Sequence, residues 1–262
     1  VGLFANRNHQ GMLIACMPPL LAYLVVTRRG MSSLPWLAVG LWMLLAIFVL
    51  ALGSRGGLIL FVLSSAAVFV MLPAEARQAL PGPRALRGKM HYIYPAVLAA
   101  GFAGFVTLAS RTLAWQRLME SGQQADIRGE VIDPVLRMMG DFFPTGAGGG
   151  TFPYVFYRYE PTEMLSQAYV NHVHNDYLEL VFEYGLPGVL IAVFALALLV
   201  RTSWDAWRDR TDGEQMMASR AAIVGLAVLF GGSVVDYPLR VPSLACVAVL
   251  FAATMFRRRV AD

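Results

Sequence analysis

Charged residues are scarce in this 262-residue sequence. Asp, Glu, Lys and Arg make up only 15% of it, and Lys89 is the one lysine among 21 basic residues. A soluble domain carries about 25% charged residues. Hydrophobic residues reach 57%, and the mean hydropathy is +0.57. These values exclude a disordered chain and an ordinary soluble enzyme, and they predict an all-α membrane protein, a polytopic helical bundle.

Cysteines and the common metal and nucleotide motifs are scarce as well. Cys16 and Cys246 fall inside apolar runs, so we expect two buried thiols and no disulfide framework. Without a His-Glu-x-x-His or Cys-x-x-Cys motif, the pair His172 and His174 is a weak metal signal. The glycine cluster at 144–150 lacks the Gly-Lys-Ser/Thr of a P-loop, and predicts either a flexible turn or a phosphate cradle. We expect no metal and no other cofactor.

Long apolar runs are the main feature of the sequence. A transmembrane helix needs roughly 17–25 mostly apolar residues, and seven runs reach or approach that length: 11–27, 34–52, 57–73, 91–110, 183–200, 219–235 and 241–256. Basic residues favour the cytoplasmic side. Placing the arginine-rich 74–90 loop there puts the long 111–182 segment outside. Because the sequence starts at Val1 without Met or a signal peptide, we expect it to be part of a longer protein.

Arginines on the outer side form a first candidate site. Arg7, Arg55 and Arg240 lie at the ends of apolar runs, where the charge rule disfavours them. A single arginine there snorkels to lipid headgroups or forms an ion pair. Several arginines from different spans favour an anion site, because a guanidinium suits bidentate phosphate contact. For Arg240, an ion pair with Asp236 four residues earlier is an equally good interpretation.

The 111–182 segment is too long for a simple connector. We predict a short helix at 111–120, and an amphipathic helix at 127–143 lying on the membrane surface. Pro134 either kinks the second helix or marks its first turn. The aromatic tract 152–159 predicts an interfacial belt or a sugar-stacking surface.

The stretch 171–188 is the richest in chemistry. His172 and His174 lie at the outer mouth of the fifth span, and Glu179 and Glu183 follow on one helix face. Acidic side chains at a membrane boundary are costly unless they serve a function. A histidine here is a hydrogen-bonded structural residue, a metal ligand, or a general base poised near neutral pH.

Six short motifs, taken in order, resemble the O-antigen ligase / O-antigen polymerase superfamily of bacterial envelope glycosyltransferases. They are 4–11 (FANRNHQG), 54–57 (SRGG), 126–128 (DIR), 144–152 (PTGAGGGTF), 174–188 (HNDYLELVFEYGLPG) and 236–240 (DYPLR). The resemblance covers residues 1–262 as one domain, with 111–182 as a loop within it. It implies a GT-C-like membrane fold with a long, partly helical periplasmic loop, and further helices before Val1.

The activity implied by the resemblance is metal-independent glycan transfer from undecaprenyl pyrophosphate to an acceptor hydroxyl. The resemblance also implies that the reaction takes place on the periplasmic face of the bacterial inner membrane. The acceptor is a sugar of the lipid A core in ligases and another lipid-linked repeat unit in polymerases. We expect ligation, with polymerisation as the alternative. The expected partners are these substrates and membrane lipids, and no nucleic acid.

Site residues are carried over by motif. His174 is implied as the base that activates the acceptor hydroxyl, and Arg55 and Arg128 as the groups that hold the pyrophosphate. We add four substrate-binding candidates from position in the sequence: Arg7, Arg240, Glu179 and Asn175. Glu179 is also a candidate to orient the imidazole of His174.

Two other functions stay open. A transporter of a lipid-linked saccharide would carry broken or polar helices at mid-membrane, and only Pro18-Pro19 in the first span suits it. A non-catalytic envelope assembly subunit would leave glycan transfer intact when His174 is lost.

Overall fold

The computed structural model describes residues 2–28, 33–72, 100, 122–162, 170–208 and 213–256, without the side chains of 122–130. All regular elements within these ranges are helices, as the composition predicts. They are α1 (Arg7–Ala15), α2 (Met17–Thr27), α3 (Leu34–Leu52), α4 (Arg55–Met71), α5 (Gly122–Phe142), α6 (Phe152–Tyr159), α7 (Asp176–Arg208), α8 (Gly213–Gly232) and α9 (Pro242–Phe256), with a 3₁₀ turn at Pro238–Arg240.

Six of the seven predicted apolar runs lie in these helices. Within the described ranges, four stretches are long and apolar enough to cross a membrane: Arg7–Thr27, Leu34–Leu52, Asp176–Arg208 and Gly213–Gly232. α4 and α9 are shorter apolar helices. The run predicted at 91–110, apart from Ala100, and the helix predicted at 111–120 lie outside the described residues. The chain is therefore an all-α membrane protein.

α8 lies at the centre of the bundle, where it contacts α2, α4, α7 and α9. Its Leu229 is buried with Met12, Phe61 and Leu244 in the main apolar core. α3 and α7 instead expose many large apolar side chains, such as Phe194, which is the pattern of lipid-facing helices. Cys16 is buried as expected, but the expectation was wrong for Cys246, which lies on an outward face of α9.

α1 and α4 approach each other closely at a glycine contact near their N-terminal ends. A Cβ atom on Gly57 would come within 2.8 Å of the Gly11 Cα, and one on Gly11 would come within 2.9 Å of the Gly57 Cα. Two helix backbones approach this closely only where side chains are absent. The contact therefore brings the motifs 4–11 and 54–57 to the same end of the bundle.

Arg220 lies at the opposite end of the bundle and is buried. Its Nη1 donates to the Met71 carbonyl oxygen at 2.9 Å, and its Nη2 donates to that of Trp207 at 3.2 Å. These carbonyls belong to the last turns of α4 and α7, where a cation offsets the negative end of the helix dipole. Arg220 therefore fixes two helix ends.

The predicted amphipathic helix of the outer loop is present as α5. It runs through Pro134, which is thus not in its first turn. Its Val131, Val135 and Met138 pack against Phe156 and other residues of α6 and α7 in a second core. The most buried face of this helix therefore packs on protein, and its position at the membrane surface stays a prediction. Ile132 and Leu136 remain exposed beside that face.

The aromatic tract 152–159 forms α6 and divides between two environments. Phe152 and Phe156 stack at 5.3 Å between ring centroids and are buried in the second core. Tyr154 and Tyr157 point outward, with 79% and 75% of their surface exposed. Only the tyrosine face is therefore available for an interfacial or sugar-stacking role.

Candidate active site

Four of the six sequence motifs meet at one end of the bundle. This end consists of the first turns of α1, α4 and α7, the few residues that precede each of them, and residues 233–240. We call it the motif end. Each of the three helices begins with a polar cap. The Asn6 side chain accepts from the Asn8 N–H, the Ser54 side chain from the Gly57 N–H, and the Asn175 side chain from two N–H groups of α7. Such caps satisfy backbone donors that a helix start leaves unpaired.

Asp236 is the centre of the motif end and is fully buried. Its Oδ2 accepts hydrogen bonds from Asn8 Nδ2 at 2.6 Å and from Asn6 Nδ2 at 3.2 Å. Its Oδ1 lies 3.1 Å from His174 Nδ1 and 3.4 Å from His9 Nε2. Ser54 extends the network, since its hydroxyl donates to Asn8 Oδ1 at 2.8 Å. The network therefore joins residues from four motifs.

Asp236 is held in its ionised form. Burial alone would raise the pKa of this carboxyl group, because it penalises the charged state. Hydrogen bonds from His174, His9 and Asn8 outweigh burial and hold the pKa of Asp236 well below its ordinary value. An ionised carboxylate can only accept hydrogen bonds. His174 Nδ1 therefore carries the proton, and Nε2 is left as the basic nitrogen.

His174 is unusual in its backbone as well. Its φ is 58°, and among the described residues it is the one non-glycine residue with positive φ. Such a conformation costs on the order of 1–3 kcal/mol and persists only where the surroundings enforce it. Its side chain is 33% exposed while the partner carboxylate is buried. The strained turn thus presents a supported imidazole at the protein surface.

Glu179 does not orient His174, contrary to the sequence-based expectation. Its Oε1 lies 2.7 Å from His172 Nδ1, and its Oε2 accepts from the Val173 N–H at 3.0 Å. Because Glu179 is 1% exposed, it lies beneath the surface and supports His172. Both imidazoles pack on the ring of Tyr237, with centroid distances of 4.2 Å for His172 and 5.1 Å for His174.

Arg240 is surrounded by carboxylates of α7. Its Nη1 lies 2.8 Å from Glu183 Oε2 and 3.2 Å from Glu179 Oε1, and its Nε lies 3.8 Å from Asp176 Oδ1. Three acidic groups therefore neutralise one guanidinium, so Arg240 offers little net positive charge to a pyrophosphate. Its ion pairs are made with α7, whereas sequence spacing suggested Asp236.

Asn175, a second candidate for substrate binding, is engaged in holding the fold together. Its Oδ1 accepts from the N–H groups of Tyr177 and Leu178, both at 3.0 Å. Its Nδ2 donates to the Val234 carbonyl oxygen at 2.9 Å. These bonds cap α7 and fasten it to the segment that carries Asp236.

The glycine cluster 144–150 packs on α7 next to Gly185, where non-helical backbone angles interrupt the helix. The N–H groups of Ala147 and Gly148 donate to the carbonyl oxygens of Phe182 and Glu183, at 2.9 and 2.8 Å. The Gly150 N–H donates to Glu183 Oε1 at 2.8 Å. Three backbone donors that could cradle a phosphate are therefore used within the protein. The cluster is a packed connection, neither a phosphate cradle nor a loose turn.

The structure describes the backbone position of all three predicted anion-binding arginines, but the side chains of only two. Arg7 and Arg55 are the first residues of α1 and α4 at the motif end. The Nη1 atom of Arg7 lies 3.9 Å from the position of a Cβ on Gly53, in the turn between α3 and α4. Arg55 is exposed. Arg128 lies in α5, and its side chain is outside the described part of the structure.

Sequence reasoning missed Asp236 as a partner of His174, and missed Asn8 and His9 altogether. One signal was available for Asp236, because a lone acid closing an apolar run is costly without a partner. No local pattern links it to His174, which lies 62 residues away. His9 was visible only as part of the motif 4–11. Among the described residues, no group of three or more His, Cys, Asp or Glu is arranged to hold a metal ion.

Comparison with known proteins gave one match. Residues 39–193, more than half of the chain, match the model of a protein family described as O-Antigen ligase. The matched range includes Arg55, Arg128 and His174, while Asp236 and Arg240 lie beyond it. Comparisons with curated proteins and with solved structures found no significant match.

Proposed function

The chain belongs to the O-antigen ligase family, and from this premise we propose that it transfers a glycan from undecaprenyl pyrophosphate to the lipid A core. The family accounts for activity of the ligase or polymerase type in a membrane protein. We place the reaction on the periplasmic face of the bacterial inner membrane, without a metal. The motif end is the proposed active site.

The observation that carries this proposal is the pair formed by His174 and Asp236. Asp236 is ionised and buried, and its contact at 3.1 Å fixes the imidazole with Nε2 as the proton acceptor. In the proposed reaction Nε2 takes the proton of the acceptor hydroxyl. The hydroxyl oxygen bonds to the anomeric carbon, and the bond from that carbon to the phosphate oxygen breaks. Such general-base assistance contributes about 10²–10⁴-fold to a rate.

Arg55, Arg7 and Arg128 are the proposed partners of the pyrophosphate. The leaving group takes the electron pair of the broken bond and gains negative charge. Arg7 and Arg55 stand at the starts of α1 and α4, where the helix dipoles also favour an anion. Fixed cations aimed at developing charge stabilise the transition state. We assign Arg240, Glu179 and Asn175 to the support of the site.

The test uses the purified protein in lipid, with EDTA present, undecaprenyl-pyrophosphate glycan as donor and lipid A-core as acceptor. The wild type is compared with His174→Asn and Arg55→Ala. Asn is chosen because it tolerates positive φ better than Ala. Arg201→Ala is the matched control, since Arg201 is an exposed arginine on α7, 25 residues beyond Asp176 and about 37 Å away along the helix.

We expect glycan on lipid A-core with the wild type and Arg201→Ala, and a loss of about 10²–10³-fold or more in both site variants. Longer lipid-linked chains in place of glycosylated lipid A-core would make the protein a polymerase. Loss of wild-type transfer in EDTA, with recovery on adding Mg²⁺, would contradict metal independence. Full activity of His174→Asn would remove the proposed base.

A further inference from the structure

The motif end contains two imidazole–carboxylate pairs of similar construction. His174 is 33% exposed and rests on Asp236, and His172 is 32% exposed and rests on Glu179. In each pair the Nδ1 atom contacts the carboxylate, at 3.1 and 2.7 Å, and the carboxylate is buried. No described residue bonds to Nε2 of either ring. Both rings pack on Tyr237, so two supported imidazoles share one patch of the surface.

The second pair is firmly held. Glu179 accepts from the Val173 N–H at 3.0 Å as well as from His172, and it forms an ion pair with Arg240 at 3.2 Å. A carboxylate with three donors fixes the direction of the His172 ring. The arrangement suits a ring nitrogen that must be aimed at a bound molecule.

We propose that His172 is a positioning residue that binds, through Nε2, a hydroxyl of the acceptor saccharide next to the attacking hydroxyl. This inference rests on the proposed function. The acidic support of His172 favours a neutral ligand, because Glu179 contacts the ring and shares the single guanidinium of Arg240 with Glu183. A sugar hydroxyl can donate to or accept from an imidazole, and His174 on the same patch takes the proton of its neighbour.

Two substitutions separate this role from a structural one. In His172→Asn, the amide nitrogen replaces Nδ1, so the bond to Glu179 is kept and the Nε2 contact is lost. In His172→Gln, the longer side chain returns a polar group near the Nε2 position. The kinetic constants of both variants are measured in lipid, with lipid A-core varied at saturating donor.

A hydrogen bond contributes about 0.5–1.5 kcal/mol, which corresponds to about 2- to 12-fold. We therefore expect KM for lipid A-core to rise by roughly that factor in His172→Asn, with a smaller change in kcat and with partial recovery in His172→Gln. An unchanged KM in His172→Asn, or a fall confined to kcat, would overturn the inference while leaving the proposed function standing. Failure of the wild type to transfer glycan to any acceptor would remove both.

A second measurement keeps the inference testable if His172→Asn does not fold. Wild-type protein is assayed with lipid A-core whose terminal sugar is replaced by each of its monodeoxy analogues. One analogue that reacts at the normal position should show the same rise in KM as His172→Asn. If every reactive analogue binds like the parent acceptor, no neighbouring hydroxyl is recognised and the inference fails.

Discussion

Asp236 and His174 meet across 62 residues of sequence, with Oδ1 of the carboxylate 3.1 Å from Nδ1 of the imidazole. Asp236 follows the end of α8, and His174 stands two residues before the start of α7. Neither residue lies in a regular helix, and each is fixed by contacts from other elements. The pair therefore ties the segment before α7 to the segment after α8.

Replacing Asp236 by Asn should reduce glycan transfer on the order of 10²–10⁴-fold. The amide keeps the shape of the side chain but removes the charge that stabilises protonated His174, and it can donate to Nδ1 and so reverse the tautomer. The turnover rate in lipid is the measurement, with Asn8→Ser as a milder comparison that leaves the carboxylate. Wild-type turnover in Asp236→Asn would show that the carboxylate does not assist His174.

The stability of the protein should depend on pH through Asp236. Its pKa is lower in the folded state than in the unfolded state, where an aspartate titrates near about 3.9. Its charged form thus stabilises the fold above that value, and this contribution is lost as the pH falls below it. Unfolding midpoints in detergent should therefore differ most between wild type and Asp236→Asn near neutral pH. A difference that stays constant down to about pH 3 would contradict the low pKa.

Replacing Gly57 by Ala should separate α1 from α4. The new methyl group would lie 2.8 Å from the Gly11 Cα, and backbone cannot move aside as a flexible side chain can. We expect a loss of about 1–3 kcal/mol in unfolding free energy, together with reduced transfer, because Asn8 and Ser54 would shift relative to Asp236. Gly40→Ala is the control, since its Cβ meets no atom within 4 Å. Equal stability of the two variants would contradict the close contact.

Replacing Gly185 by Ala should loosen the connection between α7 and the glycine cluster. Gly185 has φ 56° and ψ −150°, a region that is essentially restricted to glycine. A Cβ there would also overlap the Pro144 carbonyl oxygen. We expect faster proteolysis within 144–151 and a lower melting temperature, measured in detergent. Gly140→Ala, on an open face of α5, should resist proteolysis like the wild type.

The helices were largely predictable because their signals are local. Apolar runs fix most of the helices, α3 with the predicted bounds, and Pro18 and Pro19 mark the start of α2 after a break. The amphipathic pattern correctly predicted α5, but it could not say what its apolar face packs on. Val131 and Val135 lie against Phe156 of α6, and a protein core and a membrane surface select the same residue types.

The candidate site was predictable in its members but not in its pairings. The motifs identified His174 and Arg55 as site residues, and the predicted topology placed their segments on the same side of the membrane. For the buried charged groups, however, the predicted partners were wrong, or no partner was predicted. Glu179 is close to His174 in sequence yet binds His172, and Arg240 binds Glu183 and Glu179. Sequence spacing on a helix limits which residues share a face, but His174 precedes α7 in a turn where that rule does not apply.

The sequence by itself therefore determined that this is an all-α membrane protein, and which segments hold its polar chemistry. The length of an apolar run and its periodicity can be read from a short stretch of sequence. They determine which helices are buried in lipid or in protein. The tertiary structure alone decided that Asp236 supports His174 and that Glu179 supports His172. A buried carboxylate must find donors wherever the packed helices bring them, and here the contact of Gly11 with Gly57 and the turn at His174 set that arrangement.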